Sequence, residues 1–187
     1  MPNFRRYFVP GGSYFFTVVT YRRARFLCDE SARRILGENI RECQRTWPFV
    51  VNAMVLLPDH LHAIWSLPTG DDGYSRRWGW VKKEFTSAWL GAGGQQGTTS
   101  RGMQAQRRRG VWQPRFWEHT LRDENDFERH FDYIHYNPVK HRLVESPKDW
   151  PHSTFHRWVC DGVYDYQWGA AHLAPLKFDD IEKTAAE

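Results

Sequence analysis

The stretch from residue 49 to residue 68, FVVNAMVLLPDHLHAIWSLP, constrains the fold of this chain more than any other. It contains two apolar runs, 49–58 and 60–68, which are rich in β-branched or aromatic residues and meet at Pro58 and Asp59. Such runs predict strands, and a Pro-Asp step predicts a tight turn between them. We therefore expect two consecutive strands here, joined by a short turn.

The remaining patterns predict further strands and helices around this pair. Strands are expected at 13–21 and within 115–122, and helices are expected from Ser31 to Trp47, from about Ser75 to Leu90, and from Asp123 or Asn125 to Pro138, where proline should end or kink the helix. The order β-α-β-β-α-β, followed by another helix, predicts an α+β fold of the ferredoxin-like, split βαβ type, with an antiparallel sheet and helices on one face. That fold hosts many functions, so it does not decide the activity.

Two histidines, His60 and His62, lie one residue apart in the second of the paired strands. Side chains at i and i+2 of a strand point to the same face, so the two imidazoles should project together. Adjacent imidazoles form half of a metal site, and Asp59 beside them is placed to orient one ring. The alternative is two histidines that are each satisfied by a hydrogen bond, because a lone His-x-His motif has low specificity.

The third predicted helix carries a tyrosine and an amide on one flank. Its apolar stripe consists of Phe127, Phe131 and Ile134. Tyr133 and Asn137 fall together beside that stripe, one helical turn apart. A tyrosine is a competent covalent nucleophile where a metal stabilises the developing charge, and an amide oxygen can serve as a metal ligand. Alternatively, the tyrosine lies at a packing interface and the asparagine caps the end of the helix.

Charge and aromatic content indicate a nucleic-acid partner. The net charge is +4, the pI is about 9.0, ten residues are tryptophan, and cations alternate with rings in segments such as 21–26 and 75–83. Lysine and arginine neutralise phosphates while aromatic faces stack on unpaired bases, so this mixture suits single-stranded nucleic acid. A solvated basic surface over an aromatic core would have the same composition.

Cysteine usage and hydropathy indicate an intracellular protein. The three cysteines are far apart and form no disulfide framework, which favours a reducing cytoplasm. No apolar stretch approaches the ~20 residues that span a membrane, and residues 1–12 show no signal-peptide pattern. Within the chain we expect one main domain over 1–144, containing a mobile basic loop at about 91–110, and a C-terminal tail over 145–187.

The motif LPDHLHAIWSLP (57–68), followed downstream by DYIHYNPVKH (132–141), resembles the REP-associated tyrosine transposases, which are relatives of the single-tyrosine HUH (IS200-like) transposases of bacterial insertion sequences. The likeness extends, in order, over most of the chain through the blocks FRRYFVPGGSYFFTV (4–18), NAMVLLPDHLHAIW (52–65), SRRWGWVKKEFT (75–86), VWQPRFWEH (111–119) and DWPHSTFHR (149–157). Five blocks in order are more specific than either short motif.

This resemblance implies a metal-dependent DNA endonuclease and strand transferase. By position, His60 and His62 would hold Mg²⁺ or Mn²⁺ together with Asn137. Tyr133 would attack a DNA phosphate and leave a 5′-phosphotyrosine link and a free 3′-OH. The implied substrate is single-stranded DNA that folds into the imperfect palindromic hairpins called REP sequences, which carry a short conserved tetranucleotide at their 5′ foot. The resemblance also implies a bacterial, DNA-associated protein of the cytoplasm. It favours a monomer, and the alternative is a dimer, since the related insertion-sequence enzymes dimerise and exchange the tyrosine helix between active sites.

The basic and aromatic segments would then contact the DNA. The single-stranded foot would be read by Arg5, Arg6 and Tyr7, and the hairpin backbone would be lined by Arg76, Arg77, Lys82, Lys83, Arg115 and Lys140. For any one of these residues, a surface cation without a DNA role is an equally good interpretation.

Two features depart from the family pattern. Arg142 stands where glycine is usual, which carries a conformational cost if the position needs a positive φ. Residues 91–110 are longer and richer in Gly, Gln and Arg than expected. Two other functions also fit the sequence: a non-catalytic regulator that binds palindromes, and a metallo-phosphodiesterase that uses water as its nucleophile and would tolerate Tyr133→Phe.

Overall fold

The computed structural model describes residues 9–106, 108–171 and 176–182. Its strands are β1 (Ser13–Val19), β2 (Val50–Leu56), β3 (His60–Ser66) and β4 (Trp117–Thr120), and its α-helices are α1 (Glu30–Thr46), α2 (Tyr74–Gly91), α3 (Arg101–Ala105), α4 (Glu124–Lys140), α5 (Phe155–Cys160) and α6 (Asp179–Glu182). Two short 3₁₀ turns lie at Tyr21–Arg23 and Pro147–Asp149. The predicted Arg5, Arg6 and Tyr7 contacts lie outside the described residues.

The four strands form one antiparallel sheet in the order β2-β3-β1-β4. This order, with α1 and α2 packed together, is the ferredoxin-like arrangement, so the predicted fold class is confirmed. The central pair β1 and β3 aligns Val19 with His60 and Thr17 with His62. Both histidines therefore lie at one end of the sheet, beside the end of β1.

The alternation of side chains along the strands divides the interior into two cores. Tyr14, Phe16 and Trp65 point to the face that α1 and α2 cover. Phe15 and Ile64 point to the opposite face, where α4 packs. Because strand side chains alternate with a period of two, the same rule that fills the first core places His60 and His62 beneath α4.

Helix α4 differs from its prediction at its carboxyl end. Asp123 caps the helix as expected, since its side chain accepts a hydrogen bond from the Asp126 backbone N–H. Pro138, however, lies inside the helix, which continues to Lys140. The turn closes beyond it because the Arg142 N–H bonds the Val139 carbonyl at 2.9 Å and the Leu143 N–H bonds the Pro138 carbonyl at 2.9 Å, a Schellman pattern.

Arg142 occupies the left-handed position of this Schellman pattern, with φ of 54°. The position that carries glycine in the family pattern is thus one where a side chain is strained.

The segment after Val144, expected to be a C-terminal tail, contains regular structure. Its residues run along the edge strand β2, where the Leu56 N–H bonds the His152 carbonyl at 2.8 Å and Val55 bridges Ser153. Phe155, the first residue of α5, is fully buried in the core under α4. The segment therefore covers the β2 edge and completes that core.

The basic loop at 91–110 also contains structure, since α3 lies within it and Ser100 caps α3 by accepting from the Met103 N–H. In the described part of the chain, no helix has the length and apolar character needed to cross a membrane.

Candidate active site

The two histidines of β3 meet the face of α4 at the end of the sheet. Their ring centroids lie 5.0 Å apart, and the residues are only 2% and 0% exposed for His60 and His62. Burial of two imidazoles is costly unless their nitrogens are engaged, so each nitrogen has to be accounted for.

Neighbouring side chains engage the Nδ1 atom of each ring. Asp59 Oδ1 lies 2.7 Å from His60 Nδ1, and the hydroxyl of Thr17, the cross-strand partner of His62, lies 3.0 Å from His62 Nδ1. Burial opposes the ionisation of Asp59, but its hydrogen bonds with His60 and with Arg23 lower the pKa of the Asp59 carboxyl to about 2. An ionised Asp59 holds the His60 ring with its Nε2 atom turned inward.

The Nε2 atom of His60 supplies a test of metal fit. It is buried and makes no hydrogen bond to any residue in the described ranges. An unprotonated imidazole nitrogen held by a carboxylate on its other side is the usual arrangement of a metal-ligating histidine. The buried Nε2 atom of His60 therefore fits the role of a metal ligand better than that of a satisfied core histidine.

Tyr133 of α4 lies directly over these histidines. Its ring centroid is 5.4 Å from that of His62, and its side chain is fully buried. The amine of Lys140, two turns later on α4, donates to the Tyr133 hydroxyl oxygen at 3.0 Å. Asn137 lies between them on the same helix and is also fully buried. The structure thus brings Tyr133 together with His60 and His62 and buries Asn137 one turn later on the same helix, and the roles of all four residues stay predictions.

Phe178, which precedes α6, covers the tyrosine from the other side. Its ring centroid lies 5.5 Å from that of Tyr133 and 5.8 Å from that of Tyr136. Phe178 therefore contributes to the complete burial of Tyr133.

Sequence reasoning passed over His141 as a site residue. This C-cap of α4 has its ring centroid 5.3 Å from that of His60. The signal was the i+8 spacing from Tyr133, which places the two residues on nearby faces of a helix that extends past Pro138.

A second cluster of possible metal ligands lies about one helical turn before Tyr133, between α4 and β4. The ligand atoms of His119, Asp126 and His130 are all within 4.8 Å of one another. Asp126 already accepts from His119 Nε2 at 2.9 Å and from Arg122 Nε at 3.0 Å. Burial opposes the ionisation of Asp126, but these two bonds lower its pKa to about 2. The carboxylate is therefore engaged by a guanidinium, which competes with a cation.

The predicted DNA-contacting cations fall into different surroundings. Lys82 and Lys83 line a groove of about 460 Å³ between α2 and the segment preceding β4, together with Arg108 and Arg109. Arg115 is exposed, and it is close in the sequence to residues that line this groove. Lys140 is half-buried at the tyrosine, as described above.

Two arginines of α2 differ from expectation. Arg77 is fully buried, bonded to Asp71 at 3.0 Å and to the Trp47 carbonyl at 3.2 Å, so its expected contact with DNA is wrong. The loop carboxylate draws the guanidinium inward, and the helical pattern gives no sign of this pairing. Arg76 is exposed and stacks over Trp47, at the end of α2 remote from the histidines.

Comparisons with known proteins identify similar chains. No protein-family model matches. A REP-associated tyrosine transposase of Escherichia coli K12 is 43% identical over 169 residues, which cover 90% of this chain and 91% of the relative. A Haemophilus influenzae protein assigned to the same family is 42% identical over 179 residues, which cover 96% and 99% of the two chains. A solved structure described as a REP-associated tyrosine transposase bound to a REP hairpin superimposes with a TM-score of 0.76 at 40% identity, covering 96% of each chain.

Proposed function

Since this chain belongs to the family of REP-associated tyrosine transposases, we propose that it cleaves and rejoins single-stranded DNA at REP-type hairpins with Tyr133 as its nucleophile. The names of the relatives support a DNA transposase that associates with REP hairpins. The tyrosine chemistry and the metal are the finer parts of this proposal.

A single observation carries the proposal: the buried ring of Tyr133 packs 5.4 Å from the ring of His62, whose own neighbour is His60, and the buried Asn137 follows Tyr133 one turn later on α4. A structural tyrosine in a core has no need of two imidazoles and an amide around it. A nucleophile that works beside a cation fits these surroundings, because the imidazoles and the amide can hold the cation.

His60, His62 and Asn137 would hold a divalent cation, Mg²⁺ or Mn²⁺. Two imidazole nitrogens and one amide oxygen form a mixed donor set that suits such ions. When bound there, the cation would polarise a non-bridging oxygen of the scissile phosphate and offset the charge that builds up on it. Asp59 and Thr17 orient the two rings for this purpose through their Nδ1 contacts.

The covalent step exchanges one phosphodiester for another. The Tyr133 hydroxyl oxygen forms a bond to phosphorus, the bond from phosphorus to the 3′ oxygen breaks, and the phenol proton is balanced by the proton that the leaving 3′ oxygen gains. The products are a 5′-phosphotyrosine link and a free 3′-OH. Because the bond energy is retained in the link, a 3′-OH can reverse the step and rejoin DNA without ATP.

Lys140 assists at the nucleophile rather than on the hairpin backbone. Its ammonium group donates to the Tyr133 oxygen, and a charge-assisted hydrogen bond stabilises the phenolate character that develops during attack and during the reverse step. The groove formed by Lys82, Lys83, Arg108 and Arg109 supplies positive charge for the DNA backbone.

A non-catalytic regulator that binds palindromes is the second candidate. The observation that favours it is the complete burial of Tyr133, which keeps the hydroxyl from any substrate in this arrangement. Such a protein would bind hairpins and leave them intact.

A covalent-adduct assay separates these functions. The protein is mixed with Mn²⁺ or Mg²⁺ and a flanked single-stranded palindrome labelled at its 3′ end, and the products are separated on a denaturing protein gel. We expect a metal-dependent shifted band that disappears in Tyr133→Phe, while gel-shift binding of the hairpin is nearly unchanged. Tight binding without any adduct would establish the regulator, and cleavage that survives Tyr133→Phe would establish a hydrolase that uses water.

A further inference from the structure

A buried chain of hydrogen bonds connects the edge strand β2 to the tyrosine helix. The Met54 N–H donates to Thr154 Oγ1 at 2.9 Å, and Thr154 Oγ1 lies 2.9 Å from Nε2 of His135 on α4. His135 Nδ1 lies 3.1 Å from the hydroxyl oxygen of Tyr164. The Tyr164 hydroxyl in turn donates to Asp132 Oδ1 at 2.6 Å. The chain thus begins on a strand, passes twice through the C-terminal segment and ends on α4.

Counting protons gives this chain one direction. Tyr164 uses its single proton on Asp132, so its oxygen must accept the Nδ1 proton of His135. A neutral His135 that donates at Nδ1 accepts at Nε2, where Thr154 Oγ1 lies 2.9 Å away. The same hydroxyl lies 3.2 Å from the Met54 carbonyl oxygen, so its one proton has two acceptors. Thr154 then accepts from the Met54 N–H. Every member is satisfied, so the network holds its parts in one arrangement.

The two residues of α4 in this network flank Tyr133. Asp132 precedes the tyrosine and His135 follows it by two positions, so they fix the rotation of α4 about its own axis at that turn. On an α-helix about 10–12 Å across, a rotation of ~10° displaces a side-chain tip by ~1 Å. A displacement of ~1 Å at a reacting group can cost ~100-fold in rate.

We propose that Tyr164 and Thr154 are positioning residues, which set the rotation of α4 through Asp132 and His135 and so aim the Tyr133 hydroxyl at the histidine pair. This inference rests on the proposed role of Tyr133. It gives the C-terminal segment a role in the reaction, although the side chains of Tyr164 and Thr154 do not enter the site themselves. Both hydrogen bonds join residues that are distant in the sequence: Tyr164 and Asp132 are 32 residues apart, and Thr154 and Met54 are 100 residues apart.

The test compares Tyr164→Phe with Tyr166→Phe under single-turnover conditions, with protein in excess over flanked hairpin and with Mn²⁺ present. Phenylalanine keeps the ring contacts of Tyr164 with Trp168 and Phe155, at 4.4 and 5.2 Å, and removes only the hydroxyl. We expect Tyr164→Phe to lower the rate of adduct formation at least tenfold while the hairpin Kd stays within twofold. Tyr166 is 56% exposed in the same segment, so Tyr166→Phe should change neither value.

A conservative rescue distinguishes positioning from general loss of stability. Asp132→Asn keeps an acceptor for Tyr164 and should retain most of the rate, whereas Asp132→Ala should lose it. If Tyr164→Phe fails to fold, a comparison of Thr154→Val with Thr154→Ser replaces it. Serine keeps the hydroxyl, whereas valine keeps the volume of the side chain and loses the hydroxyl. Equal cleavage rates for Tyr164→Phe and the wild-type chain would overturn the inference while leaving the proposed function in place.

A crystal structure of Tyr164→Phe supplies a readout that does not depend on activity. We expect the separation between the rings of Tyr133 and His62 to depart from 5.4 Å as α4 turns. An unchanged α4 would overturn the inference, whether or not the wild-type chain forms an adduct. Failure of the wild-type chain to form any Tyr133-dependent adduct would instead count against the proposed function.

Discussion

The ammonium nitrogen of Lys140 lies 3.0 Å from the hydroxyl oxygen of Tyr133, seven residues earlier on the same helix, and 5.0 Å from the centre of its ring. Residues seven apart on an α-helix share a face, so this pairing depends on α4 continuing through Pro138. Had the proline ended the helix, the amine would not reach the phenol.

Removal of this amine should slow cleavage without releasing the DNA. Lys140→Met keeps much of the side-chain length but loses the charge-assisted hydrogen bond, worth about 1.5–3 kcal/mol, so we expect a ~10- to 100-fold fall in the single-turnover rate. Lys148→Met is the matched control, because Lys148 donates to an amide oxygen of Gln167. A fall in hairpin affinity that accounts for the whole loss of rate would return Lys140 to a role on the DNA backbone.

Metal binding should depend on the histidine pair and not on the second cluster. His60→Ala and His62→Ala are expected to weaken Mn²⁺ binding by at least tenfold in calorimetric titrations without DNA, since each removes an imidazole ligand. His119→Ala should leave the affinity unchanged, because Asp126 of that cluster is engaged by Arg122. The reverse ranking would move the metal to the cluster of His119, Asp126 and His130.

Uncovering the tyrosine should speed the reaction. Phe178→Ala removes the ring that lies 5.5 Å from Tyr133, so DNA no longer has to displace a buried aromatic side chain, a cost of about 1.5–3 kcal/mol. We expect adduct formation to accelerate ~10-fold or more at a fixed hairpin concentration. Leu176→Ala is the control, since Leu176 is 37% exposed in the same segment. An unchanged or slower rate in Phe178→Ala would show that the contact does not limit access.

Acid should destabilise the fold through Asp126. The pKa of this carboxyl is about 2 in the folded chain against an ordinary value of 3.8, so its contribution of about 2 kcal/mol is fully present above about pH 5 and disappears as the pH falls through 2. Urea unfolding between pH 6 and pH 2 should show the free energy of unfolding falling over the lower part of this range. Asp126→Asn should flatten that fall, and an equally steep fall in the variant would assign the effect to other carboxylates.

Glycine should be better than arginine at the end of α4. Arg142 has φ of 54°, where a side chain is strained, so Arg142→Gly should raise the free energy of unfolding by about 0.5–1 kcal/mol. Arg41→Gly, inside α1, should lower it by about 1 kcal/mol, because glycine costs helix propensity there. Destabilisation by Arg142→Gly in urea titrations would mean that the arginine makes contacts that outweigh the strain.

Local pattern was sufficient for much of the fold and part of the site. The alternation along 49–68 and the turn at Asp59 predict two strands and one face for His60 and His62, and the structure has both. The flank shared by Tyr133 and Asn137 follows from helical spacing in the same way. Such predictions succeed because side-chain direction within one strand or helix is set by backbone geometry alone.

Tertiary structure decided which of these residues are covered, paired or reoriented. Arg77 has the sequence context of a surface cation, yet Asp71 and two loop carbonyls hold it in the interior. Nothing near Tyr133 in the sequence indicates that Phe178 packs against it. Nor does the sequence indicate that Tyr164 and Thr154, from the C-terminal segment, form hydrogen bonds with its helix. The sequence by itself determined the faces on which the chemical groups lie, because those depend on neighbours in the chain. The structure alone decided what meets those faces, because contacts between distant segments depend on how the cores pack.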